Sequence, residues 1–189
     1  MSASGTARAK RFGEGALATR ANAITILRLV LAVPTLILIE REGASWTTVS
    51  LWFVLSLTDG VDGWVARRDG TTRSGAFLDP LADKFLTIGG FVALVLRGDV
   101  WWVPVALIAG RELFVSVYRA LAGRRGISLP ARQLGKVKAV LQMLAVGFYV
   151  FPPFADLEGL KLAALWLAVG FTVVSAVDIV RRGWVESRA

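Results

Sequence analysis

The sequence predicts an all-α integral membrane protein, with six transmembrane helices in one bundle and a short interfacial helix ahead of the first. Three observations carry this expectation. Hydrophobic residues make up 55% of the 189-residue chain, above the roughly 45–50% of a soluble domain. Six apolar stretches are separated by short connections, which favour antiparallel neighbours. Lysine and arginine fall almost entirely on alternate connections, as they do when a bundle is oriented across a bilayer.

The stretches run Asn22–Ile39, Trp46–Val65, Phe77–Leu96, Val100–Leu121, Val137–Phe154 and Leu160–Val180. Pro34 is tolerable inside a membrane span, where neighbours can satisfy the backbone group it frees, and Pro152-Pro153 ends the fifth. One set of connections carries fifteen cations: Arg8, Lys10, Arg11, Arg20, Arg67, Arg68, Arg73, Arg124, Arg125, Arg132, Lys136, Lys138, Arg181, Arg182 and Arg188. The other set has three, Arg41, Arg97 and Lys161. Both termini are therefore expected on the cytoplasmic face of a cell membrane. The expected organisation is a basic cytoplasmic segment over residues 1–21, a six-helix domain over 22–182 and a cytoplasmic tail over 183–189. Gly13–Arg20 is the expected interfacial helix, a disordered basic tail being the competing reading. The first twenty residues have no apolar core and do not read as a cleaved signal peptide.

Composition also removes chemistry. The chain has no cysteine and no histidine. Disulfides, thiolate nucleophiles and cysteine zinc sites are excluded, as are Ser-His-Asp mechanisms and any histidine base. Proton transfer is left to carboxylates, lysines, tyrosines or water. The net charge of +8 belongs to the topology pattern rather than to one basic stripe, so no nucleic-acid partner is expected.

Four acidic residues stand apart. Asp59 and Asp62 continue the second stretch, and Asp59, Asp62 and Ala66 are spaced i, i+3 and i+7, one face of a helix. Gly63 shares that face. Gly75, Asp79 and Asp83 follow at i, i+4 and i+8 into the third stretch. Two antiparallel helices would thus bring two carboxylates each to a shared space near the cytoplasmic surface. An aspartate at mid-membrane costs about 2.5–3.5 kcal/mol on insertion scales, and four together repel one another. A divalent cation removes both penalties, and hard oxygen ligands without histidine or cysteine suit Mg²⁺ or Mn²⁺. Pairing with Arg67, Arg68, Arg73 and Lys84 alone is the structural alternative.

The string D59-x2-D62-G63-x2-A66-R67-x7-G75-x3-D79-x3-D83 closely resembles the motif of the CDP-alcohol phosphatidyltransferases, with a spacer after Arg67 one residue shorter than usual. The resemblance implies that Asp59, Asp62, Asp79 and Asp83 hold Mg²⁺ or Mn²⁺, as a pair of ions, with Asp83 also the general base. It implies that Gly63, Ala66 and Gly75 leave room for a cytidine nucleotide, that Arg67 contacts its phosphates, and that Asn22 and Thr25 line the same site beside Asp62. CDP-diacylglycerol would be the donor and CMP the leaving group, in a homodimer as in the family. Arg28, inside the first stretch, is a functional candidate of its own, with snorkelling to the interface as its alternative.

A second cluster bears on the acceptor. Arg111-Glu112-Leu113, Arg119, and Lys136-Val137-Lys138 with Gln142-Met143 place several cations at one span edge, suited to a phosphate-bearing substrate. Arg111 is expected to pair with Glu112 or with a motif aspartate. These strings resemble the branch of the family that uses sn-glycerol 3-phosphate and forms phosphatidylglycerophosphate, with Arg111, Arg119, Lys136 and Lys138 on the acceptor phosphate. Other branches, using phosphatidylglycerol to form cardiolipin or an inositol phosphate, are the near alternatives. A divalent-cation transporter is the distant one, disfavoured by acids gathered at one face and by the lack of an internal repeat.

Overall fold

The computed structural model describes residues 20–69, 73–124, 126 and 133–186, with the side chains at 20–22, 24 and 59–80 left out. Six α-helices follow in order: α1 Arg20–Glu42, α2 Trp46–Asp69, α3 Arg73–Arg97, α4 Trp102–Arg124, α5 Gln133–Val150 and α6 Glu158–Glu186. No strand occurs among the described residues. The expected interfacial helix at Gly13–Arg20 lies outside them except for Arg20, which begins α1. Pro34 sits inside α1. The fifth α-helix stops at Val150, earlier than its apolar stretch, because Pro152 and Pro153 supply no N–H and turn the chain into a single 3₁₀ turn at Pro152–Phe154.

The turns opposite the basic connections are built from local chemistry. Gly43 takes φ 65° after α1, and its N–H donates to the Ile39 carbonyl at 3.1 Å, a glycine stop for a helix. Ser45 then caps α2 by accepting the Thr48 N–H at 3.0 Å. Arg97 lies across Gly43 and donates to the Arg41 carbonyl at 3.2 Å while pairing with Asp99 at 3.0 Å. Lys161 donates to the Ala155 carbonyl at 2.8 Å and pairs with Glu158 at 2.6 Å. Two of the three cations on this side are thus spent on helix ends and neighbouring carboxylates.

Helix α3 packs against α1, α2, α4 and α5, and α5 packs in turn against α6 and α2. The core between them holds Ile39, Trp52, Leu86, Phe91, Leu94, Ile108, Val146 and Leu165. Trp52 is 1% exposed, and its indole N–H donates to the Met143 carbonyl at 3.0 Å, joining α2 to α5. Gly90 leaves room for that ring: a Cβ there would come within 2.7 Å of it.

The outer faces invert the pattern of a soluble bundle. On α6, Lys161, Thr172 and Ser175 are buried, while Leu162, Leu167, Val173, Val174 and Val177 are exposed. On α4, Glu112 is buried and Leu107, Leu113, Phe114, Val117 and Leu121 are exposed. Four of the five exposed tryptophans among the described residues mark helix ends, Trp46, Trp101 and Trp102 at one side and Trp184 at the other, while Trp166 lies within α6. Amphipathic rings at helix ends anchor a protein at a lipid interface. By length and composition alone, α6 is the one described helix apolar enough to cross a membrane. Trp46–Thr58 of α2 is a shorter apolar segment, and α4 is interrupted by Arg111, Glu112 and Arg119. Those charges are turned inward.

Gly90→Ala should displace the Trp52 ring and lower stability by about 1–3 kcal/mol, the usual cost of overpacking. A lowered thermal midpoint of the purified protein in detergent is the expected reading, and an unchanged one would mean that the ring has slack.

Candidate functional site

Two polar centres lie side by side inside the bundle. The first surrounds Asp83. A cavity of about 130 Å³ is lined by Arg28 of α1, Ser56 of α2, Asp83 and Thr87 of α3, and Ala139 and Met143 of α5. Four helices therefore meet around one exposed carboxylate. Arg28 is 2% exposed, and its Nε donates to Thr58 Oγ1 at 3.3 Å. Thr58 in turn donates to the Leu55 carbonyl at 2.7 Å. It directly precedes Asp59, so Arg28 ties α1 to the turn where the acidic motif begins. Thr25 is fully buried one turn before Arg28, on the same face.

The helix assignments put Asp59 and Asp62 one turn apart on α2, and Asp79 and Asp83 one turn apart on α3. Of these four, only the Asp83 side chain is among those described. The side chains of Asn22, Asp59, Asp62, Gly63, Ala66, Arg67, Gly75 and Asp79 lie outside the description, so their grouping rests on helical register. Among the described residues no cluster of three or more metal-ligating side chains forms.

The second centre is built on Glu112. Its Oε1 accepts from Lys138 Nζ at 2.5 Å and from Arg111 Nη1 at 3.0 Å, with all three side chains 9% exposed. Arg111 Nη2 donates to Ser175 Oγ at 2.8 Å, and Ser175 donates to the Thr172 carbonyl at 2.9 Å. Gln142 Nε2 donates to Thr172 Oγ1 at 2.9 Å. Ser116, one turn beyond Glu112, accepts from Lys84 Nζ at 2.6 Å and donates to the Glu112 carbonyl at 2.6 Å. One network thereby crosses α3, α4, α5 and α6.

Arg119 joins this centre by charge rather than by contact. It lies close enough to Arg111, Arg182 and Glu112 for their charges to act on it. The Nε atoms of Arg111 and Arg119 are buried with no hydrogen-bond partner among the described residues. A buried guanidinium N–H without an acceptor is costly, so these atoms mark where an anion would be welcome. Lys138 is near enough to Asp83 to feel its charge, which sets the cationic centre beside the acidic one.

The geometry therefore brings Arg111, Arg119 and Lys138 together. It gives Arg111 to Glu112, one of the two partners the sequence allowed. Lys136 is exposed on the first turn of α5, and two residues from Lys138 is about 200° around a helix. Sequence reasoning missed the α6 contributors, Thr172 and Ser175. Their signal was present as two hydroxyls spaced i, i+3 in an otherwise apolar helix. Arg182, counted only as a topology charge, pairs with Asp178 at 2.9 Å and faces the same centre.

Residues 18–174 match the family described as CDP-alcohol phosphatidyltransferase. Among curated relatives, a probable phosphatidylglycerophosphate synthase of Mycobacterium tuberculosis (strain H37Rv) is 39% identical over 178 residues, covering 90% of this chain and 84% of the relative. A CDP-diacylglycerol–glycerol-3-phosphate 3-phosphatidyltransferase of Sodalis glossinidius is 36% identical over 158 residues, 79% of this chain and 86% of the relative. The protein of that name from Escherichia coli (strain K12) is 33% identical over 164 residues, 82% of this chain and 89% of the relative.

Thr172→Val keeps the volume of the side chain but removes the acceptor for Gln142. Loss of about 1 kcal/mol of stability is expected, the scale of one buried side-chain hydrogen bond in an apolar bundle. Unfolding in mixed micelles measures it, and a neutral result would show that Gln142 finds another acceptor.

Proposed function

The chain belongs to the CDP-alcohol phosphatidyltransferase family, and from that premise we propose that it transfers the phosphatidyl group of CDP-diacylglycerol to sn-glycerol 3-phosphate, releasing CMP. One observation carries the choice of acceptor. Two buried arginine Nε donors have no partner among the described residues, in a centre that also holds Lys138, beside Asp83. An acceptor bearing both a hydroxyl and a phosphate spans such a pair of centres, the phosphate toward Arg111, Arg119 and Lys138 and the hydroxyl toward Asp83. The names of the relatives above support the same acceptor.

In this reading Asp83 takes the proton of the acceptor hydroxyl. The oxygen attacks the lipid-side phosphorus, a new O–P bond forms, and the P–O bond to CMP breaks. Asp59, Asp62, Asp79 and Asp83 would hold Mg²⁺ or Mn²⁺, as two ions, and such ions when bound neutralise charge on the pyrophosphate and the leaving group. Asn22, Thr25, Gly63, Ala66, Arg67 and Gly75 would hold the nucleotide. Arg28 fixes the α1 edge of that cavity through Thr58. Lys136, exposed where α5 begins, would meet the acceptor phosphate as it enters.

We propose further that all six helices cross the membrane, with the basic connections, both termini and the site on the cytoplasmic side. The support is the inward turning of charge, the exposed apolar faces and the tryptophans at helix ends. The homodimer expected of the family would then form within the bilayer.

Purified enzyme given CDP-diacylglycerol, Mg²⁺ or Mn²⁺ and a panel of acceptors should release CMP with glycerol 3-phosphate, and should stop when the metal is chelated. Release with inositol phosphate or phosphatidylglycerol alone would sink the acceptor assignment. Asp83→Asn should reduce turnover by about 10²–10⁴-fold, the usual contribution of a general base, while nucleotide binding persists. Because the chain has no cysteine, topology can be read with single replacements. Arg41→Cys should react with an impermeant maleimide only from the outside, and Arg124→Cys only from the cytoplasmic side. Labelling of both from one side would overturn the six-span arrangement.

A further inference from the structure

We infer that Glu112 is a positioning residue for the acceptor, acting on glycerol 3-phosphate only through Arg111 and Lys138. This rests on the acceptor reading above. Three features single it out. Its Oε1 is the shared partner of a guanidinium on its own helix and an ammonium on α5. It is 7% exposed and buried among cations that would otherwise repel one another. Finally, it leaves work undone: Arg111 is clamped through Nη1 by Glu112 and through Nη2 by Ser175, while Nε has no partner among the described residues.

A residue present only to neutralise buried charge would leave no donor open. Glu112 instead cancels one positive charge and, with Ser175, holds both Nη atoms of Arg111, leaving its buried Nε open among the described residues, in the centre whose charges reach Arg119. A phosphate arriving there finds its donors already assembled. Without Glu112 the cations would separate, and phosphate binding would have to draw them together again. Preorganisation of that kind is read in acceptor affinity. It has little effect on the reaction once the acceptor is bound, because the base and the donor nucleotide belong to the other centre.

The test uses the full-length enzyme in detergent with CDP-diacylglycerol and Mg²⁺. Glu112→Gln should raise KM for glycerol 3-phosphate by about tenfold or more, the scale of a lost charge-assisted contact. Both kcat at saturating acceptor and KM for CDP-diacylglycerol should stay within about threefold. Glu112→Asp, which keeps the charge but is one methylene short of serving both cations, should fall between Gln and the parent. A lower kcat or a lower thermal midpoint with KM for glycerol 3-phosphate unchanged would assign Glu112 a structural role and overturn the inference. Where Glu112→Gln fails to fold, the Glu112→Gln/Lys138→Gln pair, which loses one charge of each sign, carries the test. Its KM for the acceptor should exceed that of Lys138→Gln alone, and equality would overturn the inference. Arg111→Gln and Lys138→Gln separate the two levels of argument. If both raise KM for glycerol 3-phosphate and the Glu112 variants do not, this inference alone fails. If neither cation variant raises it, the acceptor assignment fails as well.

Discussion

A single carboxylate oxygen shared between two cations inside an apolar bundle is the constraint around which this protein is arranged. Removing any one of Arg111, Glu112 or Lys138 would leave uncompensated charge on side chains that are only 9% exposed, and breaking a buried ion pair from one side commonly costs about 3–5 kcal/mol. The penalty fixes α4 against α5 although neither the packing of Ile108 nor that of Val146 is directional. It also explains why the remaining polar groups are chained together. Ser175 takes the second arm of Arg111, Thr172 takes Ser175 and Gln142, and Ser116 takes Lys84. Each hydroxyl is a way of satisfying a donor without another charge.

Packing and chemistry divide the bundle along its length. On the side of the sparse connections, Arg97 and Lys161 close helix ends and Trp46 stacks edge-on against Phe151 at 5.5 Å. There the structure is held by caps and aromatic contacts, with no open donors among the cations just named. Toward the other side, helices α1, α2, α3 and α5 leave a cavity between them rather than closing on one another. Small or polar residues there, Ser56, Thr87 and Ala139, keep the space open beside Asp83. The hydrophobic core between these two regions lets one be rigid while the other stays accessible.

Much of this was legible in the sequence, for identifiable reasons. Helix positions follow from apolar runs punctuated by Gly43, Gly98 and the Pro152-Pro153 pair, each of which acts locally. The register of Asp59 with Asp62, and of Asp79 with Asp83, follows from helical periodicity alone. Partner choice was not legible. Arg111 could have turned to Glu112 or to a motif aspartate, because both lie within reach of a long side chain. The decision depends on how α4 leans against α3 and α6. Thr172 and Ser175 were hidden for the same reason: a hydroxyl in an apolar helix gains meaning only from what packs opposite. The hydropathy of single helices misleads in a related way, since Glu112, which interrupts α4, is paired with Lys138 of α5, and Arg111 beside it reaches Ser175 of α6.

The separation of the acidic and cationic centres has a chemical consequence. A donor nucleotide carries its charge on a pyrophosphate, and an acceptor of the proposed kind carries its own phosphate. Bringing the two together opposes like charges. A site with one shared pool of cations would bind each substrate at the expense of the other. In the proposed reading the acidic register on α2 and α3 would leave donor charge to divalent ions, while Arg111, Arg119 and Lys138 would offer a separate positive centre to the acceptor. Asp83 lines the cavity and lies within reach of the Lys138 charge. In that reading one carboxylate would serve the hydroxyl of a substrate held by the other centre, and the polar network crossing α3 to α6 would join the two.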